Sequence, residues 1–506
     1  MESTINDLIQ TGRDDAPALA APGVQALPYA GLRRQVERTV AALHDLGVGR
    51  GDRVALVLAD GPEMAAAFVS VAAGATAAPL NPAYRAEEFE FYLTDLKAKA
   101  LIVAQGSPSP AVPVAQRLGV AILELVPRPV NGAGVFDLVA ASPTKGNVVA
   151  GGFATPSDIA LMLHTSGTTS RPKLVPLSQR NLAASARGIR ATLRLTAEDR
   201  GLCVMPLFHI HGLMAGLLAP LEAGSLVFCT PGFNALRFFS WMSEARPTWY
   251  TAVPTMHQLI LARAAGHRDV IAANPLRFVR SSSSSMPPQV IEAIEATFAA
   301  PLIEAYGMTE ASHQMASNPL PPGKRIPGTV GVAAGPDVAI MDEQGNLLAA
   351  GQTGEIVIRG ESVTSGYESN PKANAEAFSS GWFRTGDQGV MSREGYVTIT
   401  GRLKEIINRG GEKISPREVD EVLMDHPAIQ QVVTFAVPHD RLGEDVAAAV
   451  VLRAGMTLNE KEVREFAARH LADFKVPRKV IFLAEIPKGA TGKLQRIGLA
   501  SKLGLG

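Results

Sequence analysis

The sequence predicts an α/β protein. It reads as a large N-terminal domain of parallel-rich sheets flanked by helices, carrying a β-rich subdomain, with a small α+β C-terminal domain joined by a hinge. Three observations support this. Over roughly the first three hundred residues, short apolar strands alternate with amphipathic helices, the pattern of parallel sheets covered by helices. After about residue 328 that pattern gives way to short strands and turns. The last hundred residues begin a new helix-and-strand unit after Gly401-Arg402-Leu403-Lys404-Glu405. The boundaries expected are residues 1–401, with 328–401 as the subdomain, and 402–506, with the hinge at about Lys404. A chain of 506 residues has room for three or four packing units at roughly 150 residues each.

Residues 53–58 read as a strand, 63–73 as a helix and 76–80 as the next strand. The apolar stretch 64–80 contains Ser70, Gly74, Thr76 and Pro79, too short and interrupted to cross a membrane. The pattern returns at 202–207, 213–221 and 225–229, and again at 249–253, 256–264, 276–279 and 290–298. The Pro-rich segments 106–113 and 318–323 read as loops. Residues 338–342, the turn 343–346 and residues 355–359 suggest antiparallel strands. Ser415, Pro416 and Glu418 occupy the N-cap, N1 and N3 positions of a helix start. Strands at 432–437 and 447–452 and a helix at about 459–472 complete the chain.

Composition removes several classes of function. Basic and acidic residues number 48 each, so no global charge points to nucleic acid. The two cysteines, Cys203 and Cys229, belong to no metal-ligand cluster, and their scarcity fits a reducing compartment. The N-terminus lacks a basic segment followed by an apolar core, and Ser501-Lys502-Leu503 is followed by three residues, so neither reads as a targeting signal. A cytoplasmic protein without nucleic-acid or membrane partners is expected, as monomer or homodimer.

Five segments carry chemistry. Thr165-Ser166-Gly167-Thr168-Thr169-Ser170-Arg171-Pro172-Lys173 follows an apolar strand and gathers hydroxyls, a glycine and two cations on one turn. Such a turn can surround phosphate oxygens, though it also serves as an ordinary loop. In Tyr306-Gly307-Met308-Thr309-Glu310 an aromatic face can stack a base, a hydroxyl can reach phosphate and a carboxylate can hold Mg²⁺. Asp387, in Trp382-Phe383-Arg384-Thr385-Gly386-Asp387, can accept from a ribose diol or cap its own turn. The fourth runs from Gly401 to Lys413 and the fifth is a flexible loop carrying Lys493.

In this order, and over more than three hundred residues, the five segments closely resemble the adenylate-forming superfamily of acyl-CoA synthetases, firefly-type luciferases and peptide-synthetase adenylation domains. The resemblance covers essentially the whole chain. It implies ATP and coenzyme A as co-substrates, Mg²⁺ as cofactor, and a small domain that rotates between an adenylating and a thioester-forming pose. Thr165, Ser166, Gly167, Thr168, Thr169 and Lys173 would hold the triphosphate, Thr309 a phosphate and Glu310 the Mg²⁺. Tyr306, Ser282, Ser283 and Ser284 would line the adenine, and Asp387 with Arg402 the ribose. Lys404 would be the hinge, Gly410 and Gly411 would border the CoA pantetheine path, and Lys493 would be the adenylation lysine. Residues 467–506 carry eight basic against two acidic groups, which suits phosphate-rich substrates or a solvated tail. Two positions depart from the family: Ser170 and Leu174 stand where glycines are usual.

The resemblance places the acid among three segments, which here supply His209, His211, Ser281, Ser285 and His313. Fatty or aryl acids want apolar walls; this polar floor suits a small acid with a second polar group. His209 recurs as a gate in the family and says less about specificity. The wording around 164–173, 206–213, 248–255 and 408–415 is most similar to the oxalate–CoA ligases of plants and fungi, a subgroup that Ser170 fits and Leu174 does not. An acid–thiol ligase forming AMP and diphosphate, acting on oxalate, is therefore expected. Its alternatives are a ligase for glycolate, acetate, fatty or aryl acids, or a stand-alone adenylation enzyme serving a carrier protein.

Overall fold

The computed structural model describes residues 3–141, 148, 150–165, 172–487 and 496–505. They form a mixed α/β fold in two compact units. One is built from residues up to Thr165, Pro172–Val338 and Ile358–Phe383, the other from Ala339–Val357 and from Arg384 onward.

Among the described residues the first unit contains two large sheets. A seven-stranded sheet has the order Phe136–Ala140, Ala121–Pro127, Ala100–Ala104, Arg53–Val57, Thr76–Pro79, Ile159–Thr165, Lys173–Ser178. Its interior pairs are parallel, and an antiparallel strand closes each edge. A nine-stranded sheet has the order Val332–Ala333, His313–Ser317, Leu302–Met308, Phe278–Ser281, Trp249–Ala252, Arg200–Cys203, Leu226–Cys229, Pro17–Ala21, Val24–Pro28. It too is parallel through its centre, with antiparallel pairs at both ends. Parallel strands feed helices that cover both faces, which is why the strands read as short continuous apolar runs.

The helix Pro62–Gly74 is buried all round apart from Glu63. At 13 residues it rises about 20 Å and is a core helix; no described helix is long and apolar enough to cross a membrane. The segment expected as an α-helix over 213–221 is instead a π-helix, Gly212–Leu218, followed by the short α-helix Ala219–Glu222. The Ala219 amide donates to the carbonyl of Met214, five residues back. Pro220 follows and has no N–H for a normal rung, so the widened turn absorbs the defect. Gly212 permits the tight start, since a Cβ there would lie 2.2 Å from the Pro206 carbonyl oxygen. In the first proline-rich segment, residues 111–113 open the helix Ala111–Leu118, with Pro113 tolerated in its first turn.

The β-rich stretch supplies the strands Asp337–Met341, Thr353–Arg359, Phe378–Ser379, Trp382–Met391 and Val397–Arg402. From Arg384 onward the chain lies in one compact unit with Ala339–Val357. The reason is strand pairing: Trp382–Met391 and Val397–Arg402 are antiparallel, with Asp387 opposite Arg402. Its C-terminal part is a sheet of Glu412–Ile414, Ile407–Arg409, Gly443–Leu452 and Ile429–His439, with Lys479–Phe482 parallel to Gly443–Leu452. The helices Pro416–Met424 and Glu460–His470 pack against it around Ile407, Val419, Leu423, Val446 and Val463. Ser415 is the N-cap of the first helix by position, but its hydroxyl donates to the Thr400 carbonyl instead of capping. Asn459 makes a full capping box with Glu462 at the second.

Candidate active site

Of the residues expected around the acid, His211 and His313 come together at the carboxyl ends of the central strands of the nine-stranded sheet. Parallel pairing sets Thr251 beside Arg280 and places Ser281 beside Ala252. The next strand, Leu302–Met308, turns back on itself, so Met308 opposes His313. That return needs Gly307, since a Cβ there would sit 1.8 Å from the His313 carbonyl oxygen. His313 holds φ at +93°, Ser312 at +52° and Ser283 at +75°, left-handed values that cost non-glycine residues free energy. The strain sits where side chains are being aimed.

At the centre is Arg280, 0% exposed. Its Nη1 donates to His211 Nε2 at 3.2 Å and Thr251 Oγ1 at 3.3 Å, and its Nη2 to His313 Nε2 and Gln314 Oε1, both at 3.1 Å. Gln314 faces the guanidinium with its oxygen because its amide nitrogen donates to Thr192 Oγ1 and the Ala334 carbonyl. The two histidine rings stack, 4.8 Å between centres and 17° from parallel. His211 Nδ1 lies 3.0 Å from Ser283 Oγ, and Nε2 lies 2.7 Å from Thr251 Oγ1. Burial, with the neighbouring ring and Arg280, holds His211 well below the ordinary histidine pKa, and burial with Arg280 does the same for His313. Burial alone pulls the guanidinium down, to about 9. Among the described residues none of the guanidinium's hydrogen-bond partners is a carboxylate, so these contacts do not neutralise its charge.

The loop before His211 is anchored by Asp60, whose Oδ1 accepts from the Leu207 amide at 2.8 Å. Burial raises that carboxyl's pKa. His209 is half-buried beside Phe208, ring centres 4.6 Å apart. In the serine run, Ser281 is buried with a hydroxyl that has no partner among the described residues. The Ser282 hydroxyl donates to the Ala305 carbonyl, and Ser284 and Ser285 are exposed. Ser283, expected at the adenine, is the serine that reaches His211.

A second group forms around Glu310. Thr309 opens the 3₁₀ turn Thr309–Ala311, in which Glu310 is buried, directly after the strand Leu302–Met308 that carries Tyr306. The Tyr367 hydroxyl donates to Glu310 Oε1 at 2.9 Å, and the Lys173 ammonium lies over the same ring, 4.3 Å from its centre. Tyr367 is held by Asn374, which accepts from its amide and donates to its carbonyl. Thr165 and Lys173 face each other as the ends of an antiparallel hairpin. Leu174 is not loose bulk on that hairpin. It is 4% exposed and packs with Leu80, Phe89, Val103 and Met162.

In the other unit, Asp387 is buried and paired with Arg402, Oδ1 to Nε 3.0 Å. Lys404 is exposed in the 3₁₀ turn Leu403–Glu405. Gly410 and Gly411, at φ +61° and +99°, form the two-residue turn between Ile407–Arg409 and Glu412–Ile414, where both positions need left-handed backbone. Ser166, Gly167, Thr168, Thr169 and Lys493 lie outside the described residues, as does Ser170.

Two family descriptions match this chain: AMP-binding enzyme over residues 9–368 and AMP-binding enzyme C-terminal domain over 418–493. The chain belongs to the AMP-binding enzyme family. Oxalate–CoA ligase of Arabidopsis thaliana is 46% identical over 490 residues, 95% of this chain and 94% of that one. Oxalate–CoA ligase of Saccharomyces cerevisiae is 43% identical over 475 residues, 89% of this chain and 86% of that one. The crystal structure of ATP-bound MatB from Rhodopseudomonas palustris superposes with a TM-score of 0.87 at 28% identity, covering 99% of both chains. In this AMP-binding enzyme, Arg280, Thr251, Gln314, Asp60 and Tyr367 are in or beside these clusters and were not singled out by sequence reading. Arg280 left one signal: a cation at the end of an otherwise apolar strand, next to the serine run.

Proposed function

We propose that the protein is an ATP-dependent oxalate–CoA ligase working through an oxalyl-adenylate. The observation that carries the choice of acid is the His211–Ser283–His313 cluster around Arg280, a set of polar groups whose guanidinium has no carboxylate hydrogen-bond partner among the described residues. Burying a second substrate carboxylate without such partners would cost several kcal/mol. The identity to two oxalate–CoA ligases supports the same reading.

In the first step a carboxylate oxygen of oxalate attacks the α-phosphorus of ATP, and diphosphate leaves. In the second the CoA thiolate attacks the acyl carbon; the C–S bond forms, the C–O bond to phosphate breaks, and AMP leaves with the electron pair. Thr165 to Thr169 and Lys173 would hold the triphosphate, Thr309 a phosphate, and Lys493 the transferring phosphorus. Tyr306, Ser282 and Ser284 would meet the adenine, and Asp387 and Arg402 the ribose. His209 would sit at the mouth of the acid pocket, Gly410 and Gly411 beside the pantetheine, and Lys404 at the hinge.

Glu310 fits Mg²⁺. It is a buried carboxylate whose Oε1 accepts from the Tyr367 hydroxyl at 2.9 Å, a hard oxygen donor. That suits an ion which keeps its waters and shares phosphate oxygens. When bound, Mg²⁺ offsets negative charge at the phosphates. A cytoplasmic enzyme, monomeric or homodimeric, completes the proposal. The test is ATP- and CoA-dependent AMP release with oxalate, glycolate, glyoxylate, acetate, hexanoate and cinnamate. Oxalate should give the highest kcat/KM; a higher value for hexanoate or cinnamate would refute the acid assignment and leave the ligase chemistry standing.

A further inference from the structure

We propose that Arg280 is a positioning residue for the acid, acting through His211 and His313. From behind the two rings it fixes both as acceptors at Nε2 and donors at Nδ1, so the pocket meets the second substrate carboxylate with the His313 N–H and with the Ser283 hydroxyl that His211 orients, backed by a positive charge. This rests on the oxalate reading above and names how that specificity is built.

The argument is one of donors and acceptors. A guanidinium offers five N–H donors and no acceptor. At 3.1 Å from Arg280 Nη2, His313 Nε2 faces an N–H donor and accepts; His211 Nε2 faces Arg280 Nη1 at 3.2 Å and Thr251 Oγ1 at 2.7 Å, and accepting there, with the hydroxyl as a second donor, puts both ring protons on Nδ1. A protonated ring would turn an N–H against the guanidinium. His211 Nδ1–H then donates to Ser283 Oγ, which frees the Ser283 hydroxyl proton for a ligand at an exposed position. His313 keeps Nδ1–H as its remaining donor. Arg280 has no solvent exposure, so it reaches the acid by way of these rings. The charged and titratable groups around His211 are Arg280, His313, His257 and His209, and Arg280 is the one acting on His313. All are bases, which opposes protonation of either ring.

The experiment compares wild type, Arg280→Met and Arg280→Lys. Pyrophosphate release gives kcat/KM for oxalate and acetate across pH 5.5 to 8.5, and ¹⁵N NMR reports the tautomers. Wild type should show Nδ1–H tautomers and an oxalate-to-acetate ratio that does not vary with pH. Arg280→Met should lower the oxalate value at neutral pH by about a hundredfold while acetate changes little. Its oxalate activity should partly return as pH falls and the released rings protonate. Arg280→Lys, which keeps charge but not the two-ring geometry, should fall between. MgATP-induced thermal shifts report folding in each variant. Equal loss of both acids in Arg280→Met, or Nε2–H tautomers in wild type, would overturn the proposal. If wild type does not prefer oxalate, the oxalate reading fails, and the tautomer measurement still decides the role of Arg280.

Discussion

Replacing Leu174 by glycine restores the residue usual in the family, and the structure predicts harm. The side chain is 4% exposed within a cluster that includes Ala78, Leu80, Phe89, Leu93, Val103 and Met162. Deleting a buried leucine side chain back to alanine costs about 2–5 kcal/mol through lost transfer energy and the cavity left behind. Going on to glycine in a strand adds roughly 0.5–1 kcal/mol of backbone entropy. The total, about 3–6 kcal/mol, is a large share of a typical unfolding free energy of about 5–15 kcal/mol. At about 2–4 °C per kcal/mol, Tm should drop by on the order of 10 °C. Lys173 sits one residue away, and the Leu174 carbonyl accepts from the Glu368 amide at 2.9 Å, next to Tyr367. Loosening the strand should therefore raise KM for ATP more than KM for the acid. Differential scanning fluorimetry and initial rates test both parts. A Tm within 2 °C of wild type would refute the packing argument, and an unchanged KM for ATP would separate Leu174 from the phosphate site.

Tyr367→Phe keeps the ring over Lys173 and removes the hydroxyl on Glu310. A hydrogen bond to a charged group contributes about 1.5–3 kcal/mol, so the Mg²⁺ concentration for half-maximal pyrophosphate release should rise at least about tenfold; an unshifted Mg²⁺ titration counts against the assigned role of Glu310. Lys493→Ala should abolish oxalate-dependent pyrophosphate release yet convert supplied oxalyl-adenylate to thioester, whereas equal loss of both would remove the lysine from adenylation. Gly411→Leu should do the reverse. A Cβ there meets nothing within 4 Å, so its bulk projects into open space, where the proposal puts the pantetheine, although φ of +99° adds strain. Stability should fall with acidity. His211 and His313 have folded pKa values below their unfolded 6.5, so the unfolded chain binds more protons as pH drops beneath that value. Stability complete above pH 6.5 is then lost going down, by up to about 1.4 kcal/mol per pH unit for each ring. Urea unfolding from pH 7.5 to 5 measures the slope, which His313→Gln should reduce.

The alternation of apolar strands and helices, the switch to strands after 328 and the five ordered motifs were legible because each is local. A parallel strand buried on both faces must be apolar throughout, and a phosphate-binding turn must be small and hydroxyl-rich wherever it is placed. His211, Ser281 and His313 were legible as a polar floor for the same reason. What lay between them was not. Arg280 comes from a different element than either histidine and meets both only because parallel register sets it beside Thr251 while the Met308–His313 pairing returns His313 to it. Ser283 rather than Ser281 reaches His211 because its backbone is held in a left-handed conformation that no neighbour-by-neighbour reading supplies. Leu174 stands where the family usually has glycine, and strand pairing made it core. Tyr367 lies 57 residues from Glu310 and is joined to it by one hydrogen bond. Sequence by itself determined which chemical groups this protein has and the order in which it carries them. Which donor faces which acceptor was decided by long-range strand register and burial, because hydrogen bonds act over about 3 Å, and only the folded chain brings residues so far apart in sequence that close.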